Sequence, residues 1–368
     1  MRGFWAVLKK EGMQMMRDSA TLRFAIAIPV FQLVLFGLID TNVKHVPTVV
    51  FDQSRSPDSR ELIQQFVNTS YFSVVGYAPS RDAMHEEIVA GRASVGIEIP
   101  VDFARRRLYG QSAALLVLID GSDATISSQA LSAANGLALS RSITELLERS
   151  GNDELPIGVH PQLLFNPDSR SANLLIPGLV AILLTFSGTI LAAFAIVRER
   201  ERGTLEQLMV TPVSPLAVVM GKLLPYLVLA FVQLILILTL MTTVFKVPIH
   251  GSVPLLMALS VVYLFSLLAL GLLVSSRSST QMEAVQRAQM FLLPSIMLSG
   301  YIFPLSSLPA PIRVISQILP ATHFIAISRG IIIRGATFHD LWQNVAALVA
   351  IAVVLVAGST QAFKKTIS

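Results

Sequence analysis

Uncharged apolar runs alternate with short charged interruptions along this chain, and several of the runs are long enough to cross a membrane. An ionised Arg or Lys at a bilayer centre costs roughly 2.5 to 3.5 kcal/mol, so uncharged runs of about 20 residues mark candidate spans. Six qualify, at 24–39, 171–197, 223–245, 251–276, 288–312 and 341–363. With flanking residues included, they predict helical spans at 21–40, 171–197, 215–245, 251–276, 280–304 and 340–363. The first is short between Arg23 and Asp40 unless Arg23 snorkels to the interface. The fifth is interrupted by Pro294, Pro304, Pro309 and Pro311.

Charge sets the expected orientation. Arg2, Lys9, Lys10, Arg17 and Arg23 outnumber Glu11 and Asp18 ahead of the first run, and Lys364 and Lys365 follow the last. The positive-inside rule then places both ends, including the 364–368 tail, in the cytoplasm, which six crossings satisfy. No small-residue cleavage site follows the first run, so it reads as an uncleaved anchor. Residues 41–170 fall outside the cytoplasm and suffice for one domain. Apolar runs at Val46, Val95 and Ala114 alternate with helical stretches there, and Ser56-Pro57 supplies an N-cap with proline at the first helical position. The alternation predicts an α/β domain.

The most charged interruption is "RERERGTLEQLMVTP", Arg198 to Pro212. Thr204, Leu205, Glu206 and Gln207 fit a capping box, which predicts a helix beginning at Leu205. Pro212 disfavours helical geometry at Thr211, leaving about six helical residues, too few to be stable alone in water. Leu205, Leu208 and Met209 share one side of it, while Glu199, Glu201 and Glu206 offer anionic contacts. A docking element at 198–214 and an ordinary solvated loop both fit. The N-terminal segment 1–20 predicts an amphipathic interface helix, with Phe4, Trp5, Leu8, Met15 and Met16 forming an apolar stripe and Lys9, Lys10, Glu11 and Arg17 remaining wet.

Composition supports the membrane reading, with 53% hydrophobic residues, 14% charged residues and a mean hydropathy of +0.65. The net charge of +5 comes with no aromatic-interleaved basic stretch or nucleic-acid motif, so no nucleic-acid partner is expected. The absence of cysteine excludes thiolate metal sites, redox pairs and disulfides. Gly221-Lys222 lacks the upstream glycine and following hydroxyl of a phosphate loop, so the chain is not expected to hydrolyse ATP itself. His85-Glu86 lacks the second histidine of a zinc-protease motif, the "DGSD" at Asp120 lacks the rest of a calcium loop, and no metal or cofactor is expected on this chain. Gln32, Gln233 and Gln289 interrupt the spans and fit either interhelical hydrogen bonding or the lining of a translocation path. Ser295 and Ser299 would permit close helix contact. Thr280 to Glu283 fits a second capping box, which makes Glu283 a helix-closing residue.

The segments "VRERERGTLEQLMVTPVSPLAVVMGKLLPY", "LLPSIMLSGYIFPLSSLP" and "LPATHFIAISRGIIIRG" resemble signature stretches of ABC-2 type transporter permeases, particularly the multidrug export permeases. The resemblance covers essentially the whole chain and is most specific at Gly203-Thr204-Leu205-Glu206. It implies an α-helical membrane protein with six transmembrane helices, of the ABC-2 or type V exporter kind, carrying an inserted extracytoplasmic α/β domain. It also implies that Arg198, Glu199, Arg200, Glu201, Arg202 and the residues through Pro212 contact a separate ATPase subunit, which binds the ATP and Mg. Further implied partners are membrane lipid, a second permease (an identical copy or a paralogue), a periplasmic adaptor and an outer-membrane channel. The expected location is a bacterial inner membrane, and the expected cargo is hydrophobic or amphipathic, drugs among them. Residues 305–338 are expected to form an extracytoplasmic re-entrant segment.

Two other classes fit parts of the pattern. An ion-coupled secondary transporter would need acids or bases within the spans, where they are scarce. A membrane-anchored sensor would need fewer crossings than the chain offers.

Overall fold

A computed structural model of the 368-residue chain describes residues 3–39, 44–150, 164–203 and 214–367. Two compact units result, one of residues 1–40 and 163–368 and the other of the inserted residues 41–162.

Helices α1 (Phe4–Arg17) and α2 (Ser19–Gly37) precede the insert. The insert runs β1 (Val46–Asp52), α3 (Pro57–Asn68), β2 (Phe72–Tyr77), α4 (Arg81–Val89), β3 (Val95–Ile99), α5 (Phe103–Leu108), β4 (Leu116–Ile119) and α6 (Ala124–Ser150). Its sheet has the order β2-β1-β3-β4, with β1 parallel to both β2 and β3, and β4 antiparallel to β3. Alternation along β1 feeds two cores, as a period of two requires. Val46 and Val50 pack with Leu62, Phe66 and Ile97, whereas Val49 packs with Met84 and Ala93. Helix α3 starts where Ser56 and Ser59 cap one another, with Pro57 at the first helical position.

The other unit continues with α7 (Ser171–Glu201), α8 (Pro215–Thr243), α9 (Val253–Ser276), α10 (Gln281–Leu298), α11 (Ala310–Ser316), α12 (Pro320–Arg334) and α13 (Phe338–Ile367). Four of these, α7, α8, α9 and α13, are long and apolar enough to cross a membrane. The α1–α2 pair, bent by 67°, and the α11–α12 pair, bent by 81°, raise the number to six if each is one broken span.

This set differs from the expected one in its fifth member. Helix α10 stops at Leu298 and carries Glu283 and Arg287 in its first turns, so it does not pass as an apolar span among the described residues. The α11–α12 pair does pass, although Arg313, Arg329 and Arg334 punctuate it, and its 81° bend makes it either a broken span or a re-entrant loop, the second being the expectation for 305–338. Proline and Ser299-Gly300 break the chain after α10, and Gly300 takes a left-handed φ of 83° that glycine adopts without strain. Helix α8, over the third candidate span, begins at Pro215, capped by Ser214, and includes Lys222.

Helix α7 is the most enclosed, buried from Ile176 to Val197 along most of its faces. It meets α9 closely because α9 has glycine at 271. A Cβ there would lie 2.4 Å from the Thr189 carbonyl oxygen and 2.7 Å from Ala192 Cβ. Polar groups fix the same contact. The Tyr263 hydroxyl donates to Ala181 O at 3.0 Å, and the Ser275 hydroxyl oxygen accepts from the Ile196 and Val197 amides at 3.0 and 3.1 Å. Tyr263 stacks on Phe324 of α12, with centroids 4.1 Å apart.

Candidate functional site

The charged end of α7 is held from three sides. Glu199 is 3% exposed, yet it meets two cations. Lys10 of α1 donates to its Oε1, and Lys222 Nζ of α8 lies 2.8 Å from its Oε2. Lys222, 1% exposed, also donates to Glu11 Oε1 at 2.8 Å and to the Ala195 carbonyl at 3.1 Å. One buried ammonium thus joins α1, α7 and α8. Burying an ion is costly unless opposite charge and hydrogen bonds compensate it, and this site supplies both.

The remaining charges of the turn are partnered as well. Arg198 donates to Asp18 Oδ2 at 2.7 Å, and its guanidinium lies 6.0 Å from the Phe194 ring centroid. Arg200 donates to the carbonyl of Ser278, just past the end of α9, and at 3.3 Å to that of Ser276, its last residue. Glu201 accepts from the Gln281 amide at 2.7 Å and from the Gln281 side chain, at the start of α10. Thr280 caps α10 by accepting from the Glu283 amide at 3.2 Å, while the Glu283 carboxylate accepts from the Ser279 amide at 2.6 Å.

These contacts correct the loop expectation in part. Arg198, Glu199, Arg200 and Glu201 are the last residues of helix α7, and Arg202 and the left-handed Gly203 (φ 67°) form the turn after it. Four side chains with partners on α1, α8 or the α9–α10 connection keep the helix wound past the apolar run, and basic residues in its last turn suit the helix dipole. Thr204, Leu205, Glu206, Gln207, Leu208, Thr211 and Pro212 lie outside the described residues.

Helix α1 departs from its expected face. Glu11, assigned to the wet side, is 5% exposed because it reaches Lys222. Val7 is buried too, seated on α8 where Gly221 leaves room; a Cβ at 221 would lie 2.9 Å from Val7 Cγ1. Phe4 and Leu8 are half-buried, Lys9 and Lys10 are exposed, and Trp5 and Met16 are 73% and 75% exposed. A cavity of about 570 Å³ opens beside the junction, lined by Lys10, Arg17, Asp18, Arg198 and Arg202 among others.

The candidate path residues lie on α2, on α8, and on α10 and its C-terminal cap. Gln233 is 1% exposed on α8 with neither amide atom partnered, Gln32 is half-buried on α2, and Gln289 is exposed on α10. Ser295 bonds its own helix at Phe291 O, 2.7 Å away, and Ser299 is buried with an unpartnered hydroxyl. Among the described residues, no hydrogen bond joins any two of these five.

Sequence reasoning missed Lys222. It treated Gly221-Lys222 as a failed phosphate loop and, although the predicted helix 215–245 contained Lys222, gave that lysine no partner. The available signal was a single lysine amid apolar residues with acids at Glu11 and Glu199 to receive it.

An apolar helical bundle around α7 with a charged junction at one end defines a polytopic membrane protein. The family model for ABC-2 family transporter proteins matches residues 20–360, and the chain belongs to that family. Over 353 residues it is 30% identical to "Probable multidrug ABC transporter permease YbhR" of Escherichia coli (strain K12), covering 94% of each chain. It is also 30% identical over 354 residues to "Probable multidrug ABC transporter permease YbhS" of the same strain, covering 95% of this chain and 94% of the relative. Identity to "Inner membrane transport permease YhhJ" of that strain is 29% over 331 residues, covering 87% and 86%. The chain is accordingly a multi-pass transporter permease without an ATPase site of its own.

Proposed function

We propose that this permease exports a hydrophobic or amphipathic compound, drugs included, from the cytoplasm with energy from ATP hydrolysed by separate ATPase subunits. Two permease chains, identical or paralogous, pair across the membrane. ATP and Mg sit on the ATPases, and the work enters through 198–212 and α1. In this reading the chain crosses a bacterial inner membrane six times, both termini are cytoplasmic, and the α/β insert is extracytoplasmic. A periplasmic adaptor and an outer-membrane channel complete the route.

The Lys222 junction carries the proposal. A push on α1 or on the end of α7 reaches α8 through one buried ammonium, and through Arg200 and Glu201 it also reaches the α9–α10 connection. A packed element with two discrete arrangements, biased by both sites, is what coupling requires. Membranes bearing the tagged chain provide the test. Purification retains an ATPase, and transport in vesicles rebuilt from that complex requires ATP. Transport by the chain alone under an ion gradient would establish the secondary-transporter reading instead.

A further inference from the structure

A cavity of about 460 Å³ opens where the end of α10 and its following turn meet α12 and the segment that leads into α7. That volume lies within the range of small-molecule sites. Among the described residues, its charged lining is Arg329 and Arg334, with no Asp or Glu. Leu164, Phe165, Ile325 and Ile333 supply apolar wall.

Among the described residues, Arg329 is held without a counter-charge. Its guanidinium donates to the carbonyls of Gly300 at 2.9 Å and Tyr301 at 3.3 Å, and its Nε is buried with no partner. Gly178 of α7 makes room for it, since a Cβ there would lie 3.1 Å from Nη2. Among the described residues neither arginine forms an ion pair with an acid. Asp340, at the start of α13, accepts from the Thr337 amide and hydroxyl at 2.9 and 2.8 Å and attracts Arg334 without pairing with it. The buried Ser299 hydroxyl lines the same cavity, also unpartnered.

Bonds to the carbonyls satisfy donors on the Arg329 guanidinium but leave its charge uncompensated. A charge in an apolar bundle calls for an opposite charge or water, and an ionisable residue in such a place marks a site by default. Two arginines facing one space suit a phosphate or carboxylate, since guanidinium bonds to such groups are charge-assisted. The apolar walls suit hydrocarbon. We propose that this cavity binds an anionic amphiphile, with the head against Arg329, Arg334 and Ser299 and the tail along Leu164, Phe165 and Ile333.

Both a membrane phospholipid and a soluble amphiphile carry this chemistry, and one titration separates them. The full chain, purified in a neutral detergent, is titrated separately with phosphatidylglycerol, decyl phosphate, phosphatidylcholine and inorganic phosphate. Its unfolding midpoint is followed, and native mass spectrometry counts what is bound. The expected result is saturable stabilisation by an anionic amphiphile, weakened about tenfold in Arg334→Gln and in Arg329→Gln. Arg334 is exposed, so its variant folds and decides the matter alone if Arg329→Gln does not. Stabilisation by phosphatidylglycerol only identifies a lipid, by decyl phosphate only a soluble ligand, and by both a shared head-group site. Equal effects of phosphatidylcholine or of inorganic phosphate, or unchanged affinity in Arg334→Gln, would overturn the proposal.

Discussion

The Lys222 ammonium sits 2.8 Å from a Glu11 carboxylate oxygen, with both side chains almost fully enclosed. This bond ties the N-terminal helix to α8, and the same ammonium reaches Glu199 at the end of α7. Removing the lysine takes the closer cation from Glu11 and leaves Lys10, 3.9 Å from Glu11 Oε1 and bonded to Glu199, to face both buried acids. Lys222→Met is therefore expected to cost about 3 to 5 kcal/mol, because losing one partner of a buried pair strands the other. Thermal unfolding of the purified variant measures the cost, and an unchanged midpoint would show that the junction contributes nothing.

Helices α7 and α9 approach as closely as they do because position 271 is glycine. Gly271→Ala places a methyl 2.4 Å from the Thr189 carbonyl oxygen, a contact that backbone atoms must move to relieve. The expected loss is about 1 to 3 kcal/mol, the usual cost of overpacking. Gly188→Ala is the control, since the nearest atom to its Cβ, in Leu267, would be at an ordinary 3.5 Å. Equal midpoints for the two variants would contradict this packing account.

Glu201→Lys reverses a carboxylate that accepts twice from Gln281, and Glu206→Lys reverses the next acid in sequence. Both variants are expected to insert normally and retain ATP hydrolysis in the complex while export falls. Parallel assays of phosphate release and cargo accumulation read the ratio. Full export in both would remove the turn from the coupling route.

Deleting α1 is expected to weaken retention of the ATPase. Gly221→Leu makes the same point without altering charge, because the new side chain meets Val7 and lifts α1 from its seat. Co-purification quantifies retention. Undiminished ATPase in both preparations would place its contacts elsewhere.

Much of the bundle was legible because apolar runs, N-caps and prolines are local signals. Ser214-Pro215, Thr280 and Ser56-Pro57 each begin a helix where the sequence places one. Strands at Val46 and Val95 showed as apolar runs, while Phe72–Tyr77 did not, because it forms the sheet edge with Val75 and Tyr77 exposed. The site was less legible. Glu11, Glu199 and Lys222 are far apart in sequence, and their burial depends on three helices meeting. Amphipathic spacing assigned Glu11 to water, and the uncharged run that starts at Leu223 gave no sign that Lys222, inside the predicted 215–245 helix, would be buried. Within 305–338 the arginines are visible in sequence, whereas the carbonyls that receive Arg329 are not.

The most direct test uses the chain's lack of cysteine. Glu206→Cys, carrying a photoactivated cross-linker on its only thiol, is illuminated in native membranes and the attached protein identified. The account predicts an ATPase subunit, with a yield that changes when its nucleotide is trapped. An exporting complex in which that position captures no ATPase in any nucleotide state would contradict it.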